Sequence, residues 1–341
     1  RLPWARNAST RVLPSAFTRE DLLDTLAACA SPLRSADELP PLISDVHPAA
    51  FRGRLVAVCG PGGTGASLAA MAVAQGLAGD SRYGGRVLLA DLALRADQAV
   101  LHDAPDLGPG LQELVEAHRL GRPGLEEVRA KTFLVEQRGY HLLLGLRHTG
   151  AWAVLRPRAV DAALEGLRQS FQVVVADVTG ELEGEAETGS AELEERNHLA
   201  RSTLLAADAV VVVGQAGLKG VHSLARLIRG ALELGVDGGR VIAVFSQGPK
   251  GPAARASLSR TMAEVISGCG SVAATVHLPE RRVEQALRDV TPLSAALVGP
   301  LVAAVERVIE TQADRAAAVT GGAVRVQPGS LGHWSVEEGA Q

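Results

Sequence analysis

The clearest chemical signal in this chain is the stretch from residue 60 to residue 67, which reads GPGGTGAS. It follows the apolar run LVAVC and precedes the alanine-rich LAAMAVAQGLA, an order typical of a strand, a glycine loop and a helix. Glycines let successive backbone N–H groups face an anion, and the start of a helix adds its dipole. The stretch therefore predicts a phosphate-binding loop. The alternative is a glycine-rich turn that only connects a strand to a helix.

The spacing of this loop matches the pattern G-x-x-x-x-G-K-[ST], with Ala66 where the pattern has lysine. A lysine there makes a charge-assisted contact worth about 1.5–3 kcal/mol, so its absence weakens phosphate binding by about tenfold to a hundredfold or more. We therefore expect weak binding of nucleotide or a simple anion. The residues expected at the phosphate are Gly60, Pro61, Gly62, Gly63, Thr64, Gly65, Ala66, Ser67 and Leu68.

Two aspartates stand at the ends of apolar runs. Asp91 ends VLLAD, and Asp177 follows VVVA. The carboxyl ends of parallel strands face one crevice, so both side chains should lie near the glycine loop. The alternative is that the aspartates only cap helices.

The elements that must position these residues are short apolar runs separated by helical periods. Such runs indicate a parallel sheet buried on both faces, and right-handed crossovers make it doubly wound. The predicted fold class is therefore α/β with a doubly wound, mostly parallel sheet, and LVAVC, VVVAD and AVVVVG at its centre. The predicted strands are residues 55–59, 87–91, 141–146, 173–178, 209–214, 241–246 and 273–278.

The chain divides into three parts by composition. Residues 1–50 predict an N-terminal arm or a truncated region, with one helix capped by Thr18 and given an apolar face by Leu22, Leu23 and Leu26. Residues 51–315 form the predicted phosphate-binding domain, and residues 316–341 a flexible tail.

Two further segments of the large domain are predicted individually. The last helix is expected from about Pro300 to Arg315, with an apolar side that packs on the core. The acidic residues 180–195 predict a solvated surface loop, and the alternative is a docking surface for a basic partner.

Charge and composition exclude several classes of function. Lysine and arginine total 34 against 38 acidic residues, and this net charge of −4 gives no general attraction to nucleic acid or anionic lipid. The 3 cysteines are far apart, so neither a disulfide framework nor a zinc site is expected, and the histidines lack metal-ligand spacing. No apolar run reaches transmembrane length, and we expect a cytoplasmic protein.

The loop resembles the deviant Walker A motif, KGGxGKS, of the MinD/ParA group of P-loop NTPases, and the similarity extends through most of residues 54–312. That family uses two lysines in the loop. One reaches across its dimer interface, and the other contacts the β- and γ-phosphates. Pro61 and Ala66 stand at these positions, so the resemblance is to a degenerate Walker A motif.

The other motifs of the family are partly present. Asp91 and Ala93 match its DxD segment, whose second aspartate positions the attacking water, and Asp177 resembles the Walker B aspartate. Ser67 keeps the hydroxyl with which the family binds Mg²⁺, so the resemblance implies a Mg²⁺ site at Ser67, Asp91 and Asp177 beside the phosphate. The family reads adenine with an asparagine, where this chain has Gln247, and with a later proline segment that Pro279 matches. Because the second lysine and the second aspartate are replaced, the resemblance implies little or no ATP hydrolysis, although Arg95 could supply a substitute charge.

The stretches GLKGVHSLARLI and LPERRVEQALRD, together with the loop, resemble the actinobacterial CpaE-like branch, which is associated with septum-site determination and Tad pili. This resemblance implies a positioning or adaptor protein for pilus or secretion assembly, a septum site or a cell pole. It also implies a homodimer with protein partners, and ATP or ADP with Mg²⁺ as weakly bound cofactors.

Two alternatives remain open. One is a weak ATP-dependent dimerisation switch in partitioning or septum placement. The other is a nucleoid-binding partition protein, which the net charge and the lack of a clustered arginine face disfavour. The sequence shows no basic amphipathic helix near the C-terminus, and this disfavours membrane targeting.

Overall fold

The computed structural model describes residues 16–29, 51–104, 108–280 and 282–319. The chain falls into two units that divide after Phe51, and each is described by itself.

The first unit contains one described helix, α1 (Arg19–Cys29). The Thr18 hydroxyl oxygen accepts a hydrogen bond from the Asp21 N–H at 3.2 Å, so the predicted cap is confirmed. Leu22 and Leu23 are exposed, and the side chain of Leu26 lies outside the described part of the chain.

The second unit is built on an eight-stranded sheet with the order β3-β4-β2-β5-β1-β6-β7-β8. Every neighbouring pair is parallel except β3 and β4, which are antiparallel. The predicted fold class is confirmed, and LVAVC, VVVAD and AVVVVG lie side by side as β1, β5 and β6. The strands are β1 (Arg54–Cys59), β2 (Val87–Asp91), β3 (Phe133–Val135), β4 (Tyr140–Leu143), β5 (Val173–Asp177), β6 (Ala209–Gln215), β7 (Val241–Ser246) and β8 (Ala274–His277).

Strand β3 was not predicted from the sequence. It has only three residues, and two of them, Phe133 and Leu134, are exposed at the edge of the sheet. Three residues are too few to show the alternation of apolar and polar side chains that identifies a strand. The strand forms because it pairs with β4 across a turn at Gly139, whose φ is +78°.

Helices cover both faces of the sheet. Short 3₁₀ turns at Ser81–Tyr83, Thr149–Val154 and Gly238–Arg240 complete the connections. The helices of the second unit are α2 (Ala66–Ala78), α3 (Gln98–Leu101), α4 (Leu111–Leu120), α5 (Leu125–Arg129), α6 (Pro157–Ser170), α7 (Glu185–Thr188), α8 (Ala191–Ala206), α9 (Leu218–Glu233), α10 (Pro252–Ile266), α11 (Glu284–Arg288) and α12 (Ala295–Val319).

The core has two layers because side chains alternate along each strand. Leu55 and Ala57 of β1 belong to the layer beneath α4, α6, α8 and α9, whereas Val56 and Val58 belong to the layer beneath α2 and α12. Helices α2 and α12 approach closely at Gly76, where a Cβ would lie 2.3 Å from a methyl group of Val302. This contact fixes the helix that begins at the glycine loop.

The last helix is longer than predicted. It begins at Ala295 rather than near Pro300, because Ser294 accepts hydrogen bonds from the N–H groups of Leu297 and Val298 and starts the helix one turn earlier. Proline inside a helix costs about 3 kcal/mol. Burial of Leu301, Val305 and other residues on the same side offsets that cost. The helix also continues to Val319, into the predicted tail, and the tail from residue 320 lies outside the described residues.

The acidic stretch of residues 180–195 was predicted to be a solvated loop, and this is wrong in part. It contains α7 and the first turn of α8. The Glu187 carboxylate accepts a hydrogen bond from the Gly184 N–H at 2.7 Å, and the Ser190 hydroxyl caps α8 by accepting from the Leu193 N–H at 3.3 Å. Capping by acidic and hydroxyl side chains therefore allows two helices, α7 and α8, to begin within the acidic stretch.

Among the described residues, no helix is long and apolar enough to cross a membrane.

Candidate functional site

The glycine loop joins β1 to α2 at the carboxyl edge of the sheet, between the neighbouring strands β5 and β6. Gly60 is packed against β6, since a Cβ there would lie 2.5 Å from the Val213 carbonyl oxygen. Gly63 and Gly65 have φ values of +77° and +85°, which side chains disfavour. A Cβ at Gly62, Gly63 or Gly65 would meet no heavy atom within 4 Å, so this side of the loop is open.

The loop keeps its shape through hydrogen bonds of its own. The Thr64 hydroxyl donates to the Pro61 carbonyl at 2.7 Å, and the Gln215 side-chain amide donates to the Gly63 carbonyl at 3.0 Å. The N–H groups of Gly62, Gly63 and Gly65 have no acceptor among the residues that the structure describes. The Pro61 and Gly63 carbonyls are thus occupied while backbone donors remain available, as an anion-binding nest requires.

Two carboxylates lie at the ends of neighbouring strands beside the loop. Asp91 of β2 and Asp177 of β5 are paired in register, and both are buried. Burial, and then the neighbouring Asp177 carboxylate, raise the pKa of Asp91 well above its usual range. Burial also raises the pKa of Asp177 to about 6, although hydrogen bonds from Gln98 and Ser67 oppose the shift. The pair therefore resists holding two negative charges.

Gln98, the first residue of α3, connects these groups. Its side-chain nitrogen Nε2 donates to Asp177 Oδ2 at 2.8 Å and to the Ser67 carbonyl at 3.1 Å. Its backbone N–H donates to Asp91 Oδ2 at 2.9 Å. The side chain is fully buried, and its oxygen Oε1 has no hydrogen-bond partner in the described part of the chain. One residue thus links the loop helix and both aspartates.

A series of buried polar side chains, joined by hydrogen bonds, continues behind Gln98. His102 Nδ1 donates to the Gln98 carbonyl at 2.7 Å, and the Tyr140 hydroxyl donates to His102 Nε2 at 2.7 Å, which together define the tautomer. Burial lowers the pKa of His102 to about 4, so the ring is neutral at pH 7. Nearby Arg138 donates to the carbonyls of Thr291 and Ala286. These hydrogen bonds support α3 from inside the protein.

A cavity of about 990 Å³ lies over the loop. It is lined by loop residues including Gly62, Gly63, Gly65, Ala66, Ser67 and Leu68, by Ala93 and Asp177, and by parts of the acidic stretch and α9. The cavity therefore brings together most of the residues that the sequence indicated. Asp91 lies beneath it, buried behind Gln98 and Ala93.

The walls of this cavity contain both signs of charge. Arg196 pairs with Glu181, and Arg201 pairs with Glu194 at 3.2 Å, so these cations are partly neutralised by the acidic stretch. Arg95 and Arg226 also line the cavity, and neither forms an ion pair or hydrogen bond with any residue described by the structure. Arg229 lines it too, and its guanidinium group donates only a 3.4 Å hydrogen bond, to the Val265 carbonyl, among the described residues. Arg95 and Arg226 are therefore available positive charges in the cavity wall.

The two residues predicted to contact the base lie apart from this cavity. Gln247 follows β7, is exposed, and has a φ of +52°; Pro279 follows β8. Both lie at the same edge of the sheet, and the Gly248 N–H donates to the Leu278 carbonyl between them at 2.8 Å. Neither residue lines the cavity over the loop, so their predicted role in base recognition stays a prediction.

Gln98 and Arg226 were not identified from the sequence. Gln98 stands seven residues beyond Asp91 in a segment with no motif, and only the turn into α3 brings its amide to Asp177. Arg226 lies on α9, far from the loop in sequence. No pattern of spacing could have placed either residue at the site.

The three residues predicted to hold Mg²⁺ do lie close together, and their oxygens have the chemistry that Mg²⁺ prefers. However, the Gln98 amide nitrogen already occupies the position between Asp177 and the start of α2. A hydrogen-bond donor at that place does not fit a cation, so the arrangement does not fit Mg²⁺ unless Gln98 moves. Within the described ranges, no group of three or more histidine, cysteine, aspartate or glutamate side chains could hold a metal ion.

Comparisons with known proteins agree with this architecture. No protein-family model matches the sequence, and no curated protein matches it. A ParA family ATPase from Chlorobium tepidum TLS superposes with a TM-score of 0.54 at 13% identity, over 76% of this chain and 98% of that one.

Two other solved structures are similar. Apo McdA from Cyanothece gives a TM-score of 0.52 at 18% identity, covering 75% of this chain and 99% of the other. The septum site-determining protein MinD from Pyrococcus horikoshii OT3, complexed with Mg-ADP, gives 0.50 at 15% identity, covering 80% and 100%. The chain therefore has the α/β fold of the ParA and MinD P-loop ATPases.

Proposed function

We propose that this protein is a cytoplasmic MinD/CpaE-like positioning or adaptor protein that binds phosphate or nucleotide weakly and hydrolyses little or no ATP. The observation that supports this most is the contrast within one loop. The backbone donors of Gly62, Gly63 and Gly65 are available. Ala66 and Ala93, in contrast, stand where the MinD/ParA group has a lysine and an aspartate. The loop thus keeps its geometry without the side chains used for catalysis.

The strength of binding follows from the groups that remain. Backbone contacts worth roughly 5 kcal/mol give an affinity between about millimolar and sub-millimolar. Glu181 and Glu187 neutralise Arg196 and Arg201 in the cavity wall, and Glu183 adds a negative charge, so the wall attracts an anion less strongly. Arg95 and Arg226 act in the opposite direction. We therefore propose ATP or ADP as a weak ligand, with Mg²⁺ at Ser67, Asp91 and Asp177 only if Gln98 moves.

The test is a calorimetric titration with Mg-ATP of the wild-type protein and of Ala66→Lys. The added ammonium should tighten binding by about tenfold to a hundredfold, because the backbone cradle is already formed and only the charge is absent. Leu218→Lys is the matched control, since Leu218 is exposed outside the cavity lining and gives the same change of charge.

Undetectable binding by Ala66→Lys would contradict the proposal of a preserved phosphate cradle. The glycines would then serve only to pack the strand against the helix.

The adaptor role is tested separately in cells. A fluorescent fusion should form foci at a pole, a septum or a pilus or secretion machine, and Asp177→Ala should leave these foci in place. Uniform fluorescence in the cytoplasm would count against a positioning role. Foci that disperse in the Asp177→Ala strain would favour a nucleotide-driven switch instead.

The switch is the second candidate, and one observation favours it. Gln98 connects the loop helix, Asp91 and Asp177, so a ligand that moved one of them would disturb the others. A homodimer is expected in either case. Sedimentation with and without Mg-ATP distinguishes the two, since a scaffold should show the same mass in both and a switch should dimerise only with nucleotide.

A further inference from the structure

The amide of Gln98 lies against Asp177, one of the residues predicted to hold a cation, and against the start of α2. Its nitrogen Nε2 is 2.8 Å from Asp177 Oδ2 and 3.1 Å from the Ser67 carbonyl oxygen. The orientation of the amide follows from chemistry, because both neighbours are acceptors and only the NH₂ group can donate to them. If Oε1 took that position, it would face two acceptors with no proton between them.

We propose that Gln98 is a built-in substitute for the divalent cation, so that the loop binds a phosphate group without Mg²⁺. The inference rests on the proposed phosphate-binding function of the loop. A neutral donor here satisfies Asp177 and links it to the loop helix, as a bound cation would otherwise do. Gln98 is therefore a specificity-determining residue that selects a metal-free ligand.

Gln98 is held firmly from its backbone side. Its N–H donates to Asp91 Oδ2 at 2.9 Å, and its carbonyl accepts from His102 Nδ1 at 2.7 Å. His102 is in turn fixed by the Tyr140 hydroxyl at 2.7 Å. All three of these partners are buried, and so is the Gln98 side chain itself. The amide can leave Asp177 only by a side-chain rotation within a packed interior.

A cation must therefore displace a satisfied donor to enter. The displaced amide would lose its bonds to Asp177 and to the Ser67 carbonyl while remaining buried, and an unpaired buried polar group is costly. Hydrogen bonds to charged groups have strengths that correspond to about tenfold to a hundredfold in an equilibrium constant. We expect Gln98 to weaken divalent-ion binding by a factor in this range.

The direct experiment uses the metal alone. Mn²⁺ is titrated into the whole protein, and free Mn²⁺ is followed by its electron paramagnetic resonance signal. The wild type should bind no Mn²⁺ tighter than about millimolar. Gln98→Ala should bind one ion about tenfold to a hundredfold more tightly, because Asp177 Oδ2 and the Ser67 carbonyl oxygen lose the amide donor and become available to the ion.

Two further variants make the metal titration secure. Gln98→Asn withdraws the amide by one methylene and should also gain Mn²⁺ binding, and it decides the question if Gln98→Ala does not fold. Adding Asp177→Asn to either variant should abolish the gain. One Mn²⁺ bound equally tightly by the wild type and by the Gln98 variants would overturn the proposal.

The second experiment measures the ligand. Inorganic tripolyphosphate is titrated into wild type and Gln98→Ala, in Mg²⁺ and in EDTA. The wild-type affinity should differ less than about threefold between the two conditions, whereas Gln98→Ala should bind at least about tenfold more tightly with Mg²⁺. A tenfold Mg²⁺ requirement in the wild type would overturn the inference. No binding by any form would refute the phosphate-binding function, and the Mn²⁺ titration would still decide the role of Gln98.

Discussion

Asp91 and Asp177 are cross-strand partners at the carboxyl ends of β2 and β5, and both are buried. Neighbouring buried carboxylates cannot both ionise easily, and this relationship makes the stability of the protein depend on pH. Gln98 donates to each of them, from its backbone N–H and from its side chain. The same pair therefore makes the stability of the fold depend on pH and holds Gln98 beside the glycine loop.

The first prediction concerns the stability of Asp177→Asn. Burial raises the pKa of Asp177 from 3.8 to about 6, so the folded state binds more protons than the unfolded state between these values. Stability from this group is thus complete below about pH 4 and falls as the pH rises through about 6. At pH 7 the cost is on the order of 3 kcal/mol, and Asp177→Asn removes it.

Thermal unfolding between pH 4 and pH 8 is the measurement. The variant should melt above the wild type at pH 7, and the difference should shrink as the pH falls towards 4. Burial lowers the pKa of His102 to about 4, so its contribution runs in the opposite direction, but it is common to both proteins. A difference in melting temperature that does not change with pH would contradict the prediction.

The second prediction separates shape from binding within the loop. Gly62→Ala should fold normally, since a Cβ there meets no heavy atom within 4 Å, but the methyl group should occupy the anion nest and reduce tripolyphosphate binding. Gly60→Ala should destabilise the protein, since its Cβ would lie 2.5 Å from the Val213 carbonyl oxygen. Melting curves and calorimetry distinguish them. Unchanged anion binding by Gly62→Ala would mean that the nest is not the site.

The third prediction concerns Arg226, which lines the cavity and forms no ion pair with any described residue. Arg226→Ala should weaken tripolyphosphate binding by up to about fivefold at low salt, as an exposed charge contributes at most about 1 kcal/mol. The effect should fade at high salt. Arg260→Ala is the matched control, because Arg260 is exposed on α10 away from the cavity. Equal effects of both changes would indicate a general charge effect only.

The fourth prediction is that ATP turnover is negligible. Phosphoryl transfer depends on the positioning of the reactants and on the stabilisation of charge in the transition state. This chain has Ala66 and Ala93 where the MinD/ParA group, which the loop resembles, has its lysine and its second aspartate. Steady-state phosphate release by the wild type should equal that of Asp177→Ala. A wild-type rate clearly above this control would restore the model of an ATPase switch.

The fifth prediction concerns a buried arginine of α6 and the ion pair that it forms. Arg168 of α6 is almost fully buried, and it donates to Asp208 at 2.8 Å and to the carbonyls of Gly53 and Ala206 at 2.9 Å. Arg168→Ala would remove these three hydrogen bonds, although Asp208 keeps the Leu55 N–H at 2.8 Å and Arg54 at 3.4 Å, and it should cost about 3 kcal/mol of unfolding free energy. Arg158→Ala, at an exposed position of the same helix, should change stability little. Similar denaturation midpoints for the two variants would contradict this assignment.

The sequence by itself determined the class of fold and the place of the loop. Apolar runs such as residues 173–178 are buried on both faces, so their composition alone distinguishes them from loops and amphipathic helices. The glycine loop was readable because turning successive N–H groups outward requires glycine at fixed positions. Local rules of this kind also predicted the Thr18 cap, but they missed β3, whose three residues depend on pairing with β4.

Only the tertiary structure decided how the site is completed. Gln98 reaches Asp177, and Arg226 reaches the cavity, through contacts between segments far apart in the chain. The acidic stretch also became a cavity wall rather than a free loop, because Arg196 and Arg201 pair with its glutamates. Such contacts depend on how helices lie over the sheet, and no local pattern of residues encodes that. The sequence therefore placed the glycine loop, whereas packing placed an amide beside it where a cation was expected.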